Sequence, residues 1–138
     1  MKIKTDLAEQ GRRLAEEFAA ESIRIESKVE AELYKGAQKV HARAVQLVPV
    51  GEYPAGSGKS GGQLKNSLAI RQTGWGSNPS FEVGSKVPYA MRIEYGFRGT
   101  DSLGRTYNQA PQPYLNPALN QYRGFIYNQV LNVIKLGL

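Results

Sequence analysis

Apolar residues recur three, four or seven positions apart through the first third of the chain. The stripe consists of Leu7, Leu14, Phe18, Ile25, Val29, Leu33, Ala37, Val40, Ala44 and Leu47. This spacing predicts one amphipathic helix over residues 6–48, with Asp6 as its N-cap and Pro49 after its end. Such a helix would be roughly 60 Å long, which is more than a small domain can cover. We therefore expect a neighbouring subunit to bury part of the stripe, and a bend near Gly36 is the alternative.

The middle of the chain changes to a pattern of short elements. Glycine and proline mark residues 49–63 as a flexible loop. Residues 64–85 predict a helical turn followed by a β-hairpin, in which Phe81 and Val83 share one face of the returning strand. Pro88 is suited to begin a short helix over residues 88–95.

The last third predicts a polar loop and a second long helix. We expect the loop, residues 97–113, to become ordered on assembly. The helix, residues 117–136, has apolar residues three or four apart, with Asn116 as its N-cap and Gly124 permitting close packing on the first helix. These elements predict a single α+β domain over residues 1–138, with a long N-terminal helix and a C-terminal helix packed on a small antiparallel β-sheet.

Residues 111–117, PQPYLNP, contain three prolines. Proline fixes φ and removes a backbone donor, so this segment is stiff and extended until Pro117 enters the first turn of the helix. A stiff segment that leads into a helix is suited to positioning surfaces. We therefore expect Tyr114 and Leu115 to anchor in an apolar pocket of a partner.

Two sequence segments together resemble a known family. The first is Y-A-x-x-x-E-x-G and the second is P-Q-P-Y-L-N-P-A-L, and upstream lie L-V-P and G-Q-L-K-N-S-L. Over roughly residues 40 to 120 this order resembles the tail-completion or neck proteins of long-tailed bacteriophages, the minor tail protein Z-like group. The motif residues are Tyr89, Ala90, Glu94, Gly96, Pro111, Pro113, Tyr114, Leu115 and Pro117. Phe97 stands where the family usually has threonine, which indicates a different loop after the glycine.

The resemblance implies a structural protein of the virion, at the neck or tail end, made in the host cytoplasm. Its implied partners are further copies of itself, in a ring of six or twelve subunits, and the neighbouring connector or tail proteins. DNA in the channel is a further, non-specific contact. No apolar run is long enough for a membrane span.

Charge is distributed unevenly along the chain. Residues 1–32 contain eight acids and six bases, whereas residues 33–138 contain twelve bases and four acids. This split suits head-to-tail packing of subunits or contact with a polyanion, although a solvated surface without a partner has the same composition. The competing hypothesis is a basic protein that binds phage DNA without being part of the particle.

The residues offer little for catalysis, and we predict no enzyme, cofactor or metal site. The chain has no cysteine and one histidine, His41. Gly58-Lys59-Ser60 resembles the end of a phosphate-binding loop, but Tyr53 stands where that motif begins with glycine. Glu94 has no second carboxylate in a common motif. We expect it to form a salt bridge or to bind backbone amides of the glycine loop that follows.

Several exposed side chains are candidates for contact with partners. Trp75 lies at the predicted hairpin tip, where it either contacts a partner or folds back on the sheet. The basic candidates are Lys59, Lys65, Arg71, Arg98 and Arg105. The tyrosines at 107, 114, 122 and 127 suggest base stacking, but their spacing favours core and rim positions.

Overall fold

The computed structural model describes residues 3–51, 61–100 and 102–137. Its elements in chain order are α1 (Ile3–Leu47), α2 (Gln63–Ser67), β1 (Ala69–Gly74), β2 (Ser80–Gly84), α3 (Ala90–Tyr95), β3 (Phe97–Thr100), β4 (Thr106–Gln109) and α4 (Leu115–Gly137). The predicted α+β class is confirmed. The strands, however, form two separate antiparallel pairs, β1–β2 and β3–β4, where one sheet was expected.

The two long helices pack against each other in opposite directions. Arg43 Nε donates a hydrogen bond to Gln121 Oε1 at 2.9 Å, and a Cβ added to Gly36 would lie 2.5 Å from Ile126 Cγ1. Gly36 therefore permits the close approach of α4 to α1, and α1 remains helical through it. The expectation that Gly124 serves this purpose was wrong, because Gly124 is exposed and a Cβ there would meet nothing within 4 Å.

The core lies at the C-terminal end of α1. Its buried members are Val40, Ala44, Val48, Leu64, Leu68, Ala90, Tyr114 and Ala118. Residues 8–20, by contrast, are all exposed. α1 has 45 residues, so it is roughly 67 Å long, and the rest of the chain covers only part of that length.

The first hairpin packs on α1. β1 and β2 pair in antiparallel register, with Ile70 opposite Val83, and the ring centroids of Phe81 and Tyr34 are 5.5 Å apart. Phe81 and Val83 are both partly buried in a strand whose intervening residue is exposed, as their spacing predicted. The helical turn before the hairpin, α2, is also where the pattern placed it.

The predicted loop over residues 97–113 contains a second hairpin, which corrects the sequence analysis. β3 pairs with β4, and the rings of Phe97 and Tyr107 lie 6.0 Å apart on it. The Arg92 guanidinium lies 4.0 Å from the centroid of the Phe97 ring, so α3 contributes to this small cluster. Only these two residues of the strands are large and apolar, which gave too weak an alternation to predict strands.

The predicted loop over residues 49–63 is only partly described. Residues 52–60, which include Lys59 and the glycine-lysine-serine motif, lie outside the described residues. Gln63 already belongs to α2. None of the described helices is both long and apolar enough to span a membrane.

Candidate functional site

The two segments of the predicted signature meet in one buried joint between α3 and the start of α4. Glu94, on α3, is only 4% exposed. Its carboxylate accepts hydrogen bonds from the backbone N–H groups of Tyr114, Leu115 and Asn116, at 2.7, 2.9 and 2.8 Å. We call this arrangement the α3–α4 joint.

The joint is a helix cap supplied by a distant residue. The first N–H groups of a helix have no partner within the helix, and the helix dipole places partial positive charge there. The negative Glu94 carboxylate satisfies three consecutive N–H groups with charge-assisted hydrogen bonds. α4 therefore begins at Leu115, two residues before the predicted start. Asn116 lies inside its first turn and does not act as the predicted N-cap.

Glu94 was expected to bind a cation or the glycine loop after it. It binds backbone amides as one of those alternatives proposed, but those amides begin α4, twenty residues further along the chain. The signal available in the sequence was indirect, since the first turn of α4 contains no acid to satisfy its own N–H groups. A capping carboxylate from elsewhere was the missing partner.

Tyr114 belongs to the chain's own core, which contradicts its predicted role as an anchor in a partner. Its side chain is fully buried, and its hydroxyl donates to the Ala90 carbonyl oxygen at 3.3 Å. Burial raises the pKa of the Tyr114 hydroxyl, and the negative charge of Glu94 raises it further. Leu115, the other predicted anchor, is partly buried and packs beside the same core.

The remaining motif residues support the joint. Gly96 has φ +76°, and a Cβ there would lie 2.6 Å from the Gln109 carbonyl oxygen. The Gln112 N–H donates to the Ile93 carbonyl oxygen at 2.8 Å, which fixes the proline segment, residues 111–117, against α3. Tyr89 donates from its hydroxyl to Gln63 Oε1 at 3.1 Å. The three motif prolines lie along the segment that leads into α4: Pro111 is beside Gly96, Pro113 precedes Tyr114, and Pro117 is in the first turn of α4.

The joint has the geometry of a structural contact. The Glu94 carboxylate is buried, and it accepts hydrogen bonds from three backbone N–H groups. Across the part of the chain that the structure describes, no group of three or more His, Cys, Asp or Glu side chains is placed to hold a metal ion.

The predicted contact residues lie on separate elements. Trp75, in the β1–β2 connection, is 65% exposed. Arg71 on β1 pairs with Glu82 at 2.7 Å, with both side chains largely in solvent. Lys65 on α2, Arg98 on β3 and Arg105 before β4 are exposed. The described candidates are therefore distributed over α2, the β1–β2 hairpin and the β3–β4 hairpin.

Among the described residues, an apolar helix face and an apolar groove are open to solvent. The first is the N-terminal arm, residues 8–25 of α1, where Leu14 and Phe18 are 53% and 67% exposed. The second is a groove of about 410 Å³ between α1, β2 and α4, lined by Leu33, Ala37, Val40, Phe81, Leu119 and Ile126, among others. The groove was not predicted, because it needs the relative positions of three elements that are distant in sequence.

Comparison with known proteins identifies a family. The family model described as "Bacteriophage HK97-gp10, putative tail-component" matches residues 12–96, which is more than half of the chain. The match runs from the exposed arm through the first hairpin to Glu94 and Gly96 of the joint. Neither the comparison with curated proteins nor that with solved structures gives a match. On the family match, the chain belongs to the HK97 gp10 family of phage tail components, whose members are virion-associated.

Proposed function

We propose that this protein is a neck or tail-completion protein, which assembles at the head–tail junction or the top of the tail through ring-forming contacts between its own copies. The family supports a place in the tail. The observation that carries the finer proposal is the N-terminal arm, a helical segment whose apolar stripe extends beyond the part of α1 that the rest of the chain covers.

Exposed apolar side chains on a long helix favour burial by another molecule. Removing apolar surface from water contributes roughly 25 cal/mol per Å², and Leu14 and Phe18 are both more than half exposed. A ring requires two different surfaces on each subunit, because every copy is a donor on one side and an acceptor on the other. The N-terminal arm and the rest of the protein, residues 33–138, which we call the body, differ in shape and in charge. Such a difference suits a head-to-tail contact.

Charge supports the neighbours that we propose in the particle. The body is strongly basic, since residues 33–138 contain twelve bases and four acids. A ring of such bodies would attract an acidic connector or tail protein, and it would also tolerate DNA passing through its channel. In this proposal the protein is made in the host cytoplasm and remains in the finished virion.

Deleting the gene from the phage or prophage that encodes it tests the position. We expect DNA-filled heads and finished tails to accumulate separately, and the wild-type gene supplied in trans to restore joined particles. Quantitative mass spectrometry of purified particles is then expected to give a constant copy number of about six to twelve, as a closed ring requires. The major tail protein, measured in the same samples, provides the internal standard.

Two results would contradict the proposal. Joined, infectious particles from the deletion strain would exclude a role in completing the tail. Absence of the protein from clean particles would exclude a virion component. In the second case the basic body would favour the alternative, a DNA-binding protein, and its affinity for duplex DNA would fall steeply with salt concentration.

A further inference from the structure

The structure leaves an apolar helix face and an apolar groove open on the same chain. We propose that they are the two halves of one contact, in which the N-terminal arm of one copy binds the groove of a second copy. This inference rests on the proposed function, because it specifies the surfaces through which the ring would form.

The arm continues the face of α1 that packs inside the body. Leu14, Phe18 and Ile25 follow one another at intervals of four and seven residues, so they lie on one side of the helix. The same stripe continues through Val29 and Leu33 toward the region where α4 packs against Gly36. The arm thus presents a helix face of the kind that this fold already buries.

A chain cannot fill its own groove with its own arm. Leu14 and Leu33 lie on one uninterrupted helix, and Leu33 lines the groove. The nineteen helical steps from Leu14 to Leu33 correspond to about 28 Å along the helix axis, which separates Leu14 from the groove of the same molecule. An arm that binds the groove must therefore come from a different molecule.

Charge favours a second copy of this chain as that molecule. The arm, residues 8–25, contains four acids and three bases, whereas residues 33–47 and α4, the helical segments that border the groove, contain five Lys or Arg residues and no acid. An arm approaching a groove brings opposite charges together. Two arms packed on each other would lack this attraction to a surface that contains bases and no acid.

The absence of cysteine from the chain allows a direct test by disulfide cross-linking. Leu14→Cys places a thiol on the apolar face of the arm, and Ser80→Cys places one at the groove, which Ser80 lines. The two full-length single variants are mixed under mild oxidation, one of them labelled with ¹⁵N so that intact mass identifies each partner. The control is Ile23→Cys, which is also exposed on the arm, at 64%, but lies about 140° around the helix from Phe18.

We expect a mixed dimer from Leu14→Cys with Ser80→Cys, at several times the yield from Ile23→Cys with Ser80→Cys. Equal yields from both mixtures would overturn the inference. Dimers formed mainly between two Leu14→Cys chains would also overturn it, in favour of arm–arm pairing. The absence of any cross-link would show that the groove does not receive this arm.

Sedimentation velocity gives an independent measurement. Phe18→Glu is expected to weaken self-association at least tenfold, while Ile23→Glu, the same change on another face of the arm, leaves it unchanged. The inference fails if the two variants associate equally well. If the cross-link forms but the protein is absent from purified particles, the proposed function is refuted and this inference stands. If the protein is present in particles but the cross-link does not form, this inference is refuted and the proposed function stands.

Discussion

The α3–α4 joint makes a quantitative prediction for Glu94→Gln. Glu94 Oε2 accepts from Tyr114 and Leu115, and Oε1 accepts from Asn116. Glutamine offers one oxygen, so at least one of these N–H groups must face an amide NH₂. The substitution also removes the negative charge from the N-terminus of α4.

The magnitude follows from the burial of the carboxylate. A hydrogen bond to a charged group contributes about 1.5–3 kcal/mol, and a buried donor without a partner costs about 1–3 kcal/mol. Because such contributions are not additive, we expect Glu94→Gln to lower the free energy of unfolding by roughly 2–4 kcal/mol. That is a large fraction of the 5–15 kcal/mol typical of a native protein.

Urea denaturation followed by circular dichroism at pH 7 measures this loss as a lower midpoint with an unchanged slope. The matched control is Glu82→Gln, which also removes a charged contact, the 2.7 Å pair with Arg71. Because both of those side chains are largely in solvent, the control is expected to cost about 0–1 kcal/mol. If the two substitutions lower the free energy of unfolding equally, the Glu94 hydrogen bonds of the joint are not an important source of stability. Apolar packing would then account for the position of α4.

Three further predictions concern glycines and the buried tyrosine. Gly36→Ala should destabilise the protein, because the added Cβ would clash with Ile126 on α4. Gly11→Ala should stabilise α1 by about 1 kcal/mol, because Gly11 has open space around it. Thermal melts measure both changes. Gly96→Ala should lower the melting temperature more than Gly104→Ala, since both have positive φ but only a Cβ at Gly96 meets neighbouring atoms. Because the pKa of Tyr114 is raised in the folded state, stability should fall as pH rises above about 10, and Tyr114→Phe should reduce that loss in alkaline urea titrations.

The sequence predicted the elements that have strong local patterns. α1 extends over Ile3–Leu47 where residues 6–48 were expected, because the apolar stripe is long and its end is marked by Pro49. The β1–β2 hairpin was predicted from the alternation at Phe81 and Val83 and from the turn residues between the strands. Each of these signals comes from residues that are neighbours along the chain.

The misses involve contacts between different elements. The start of α4 depends on Glu94, and no local pattern around Asn116 contains that information. The β3–β4 hairpin gains its packing from Phe97, Tyr107 and Arg92, which lie on three different elements. The groove depends on the distance between α4 and β2. Tertiary contacts decided all three, and propensity and periodicity do not describe such contacts.

The position of the joint changes how the proline segment is understood. On sequence alone, residues 111–117 were expected to dock on a partner, but they lead from β4 into the first turn of α4 and deliver Tyr114 to the core. We therefore expect changes at Tyr114 to act on the stability of the fold. Contact between molecules depends on surfaces that the fold leaves open. Of these, the N-terminal arm exposes apolar side chains that the described part of its own chain leaves uncovered. We therefore expect substitutions there to weaken contact between molecules without unfolding the protein.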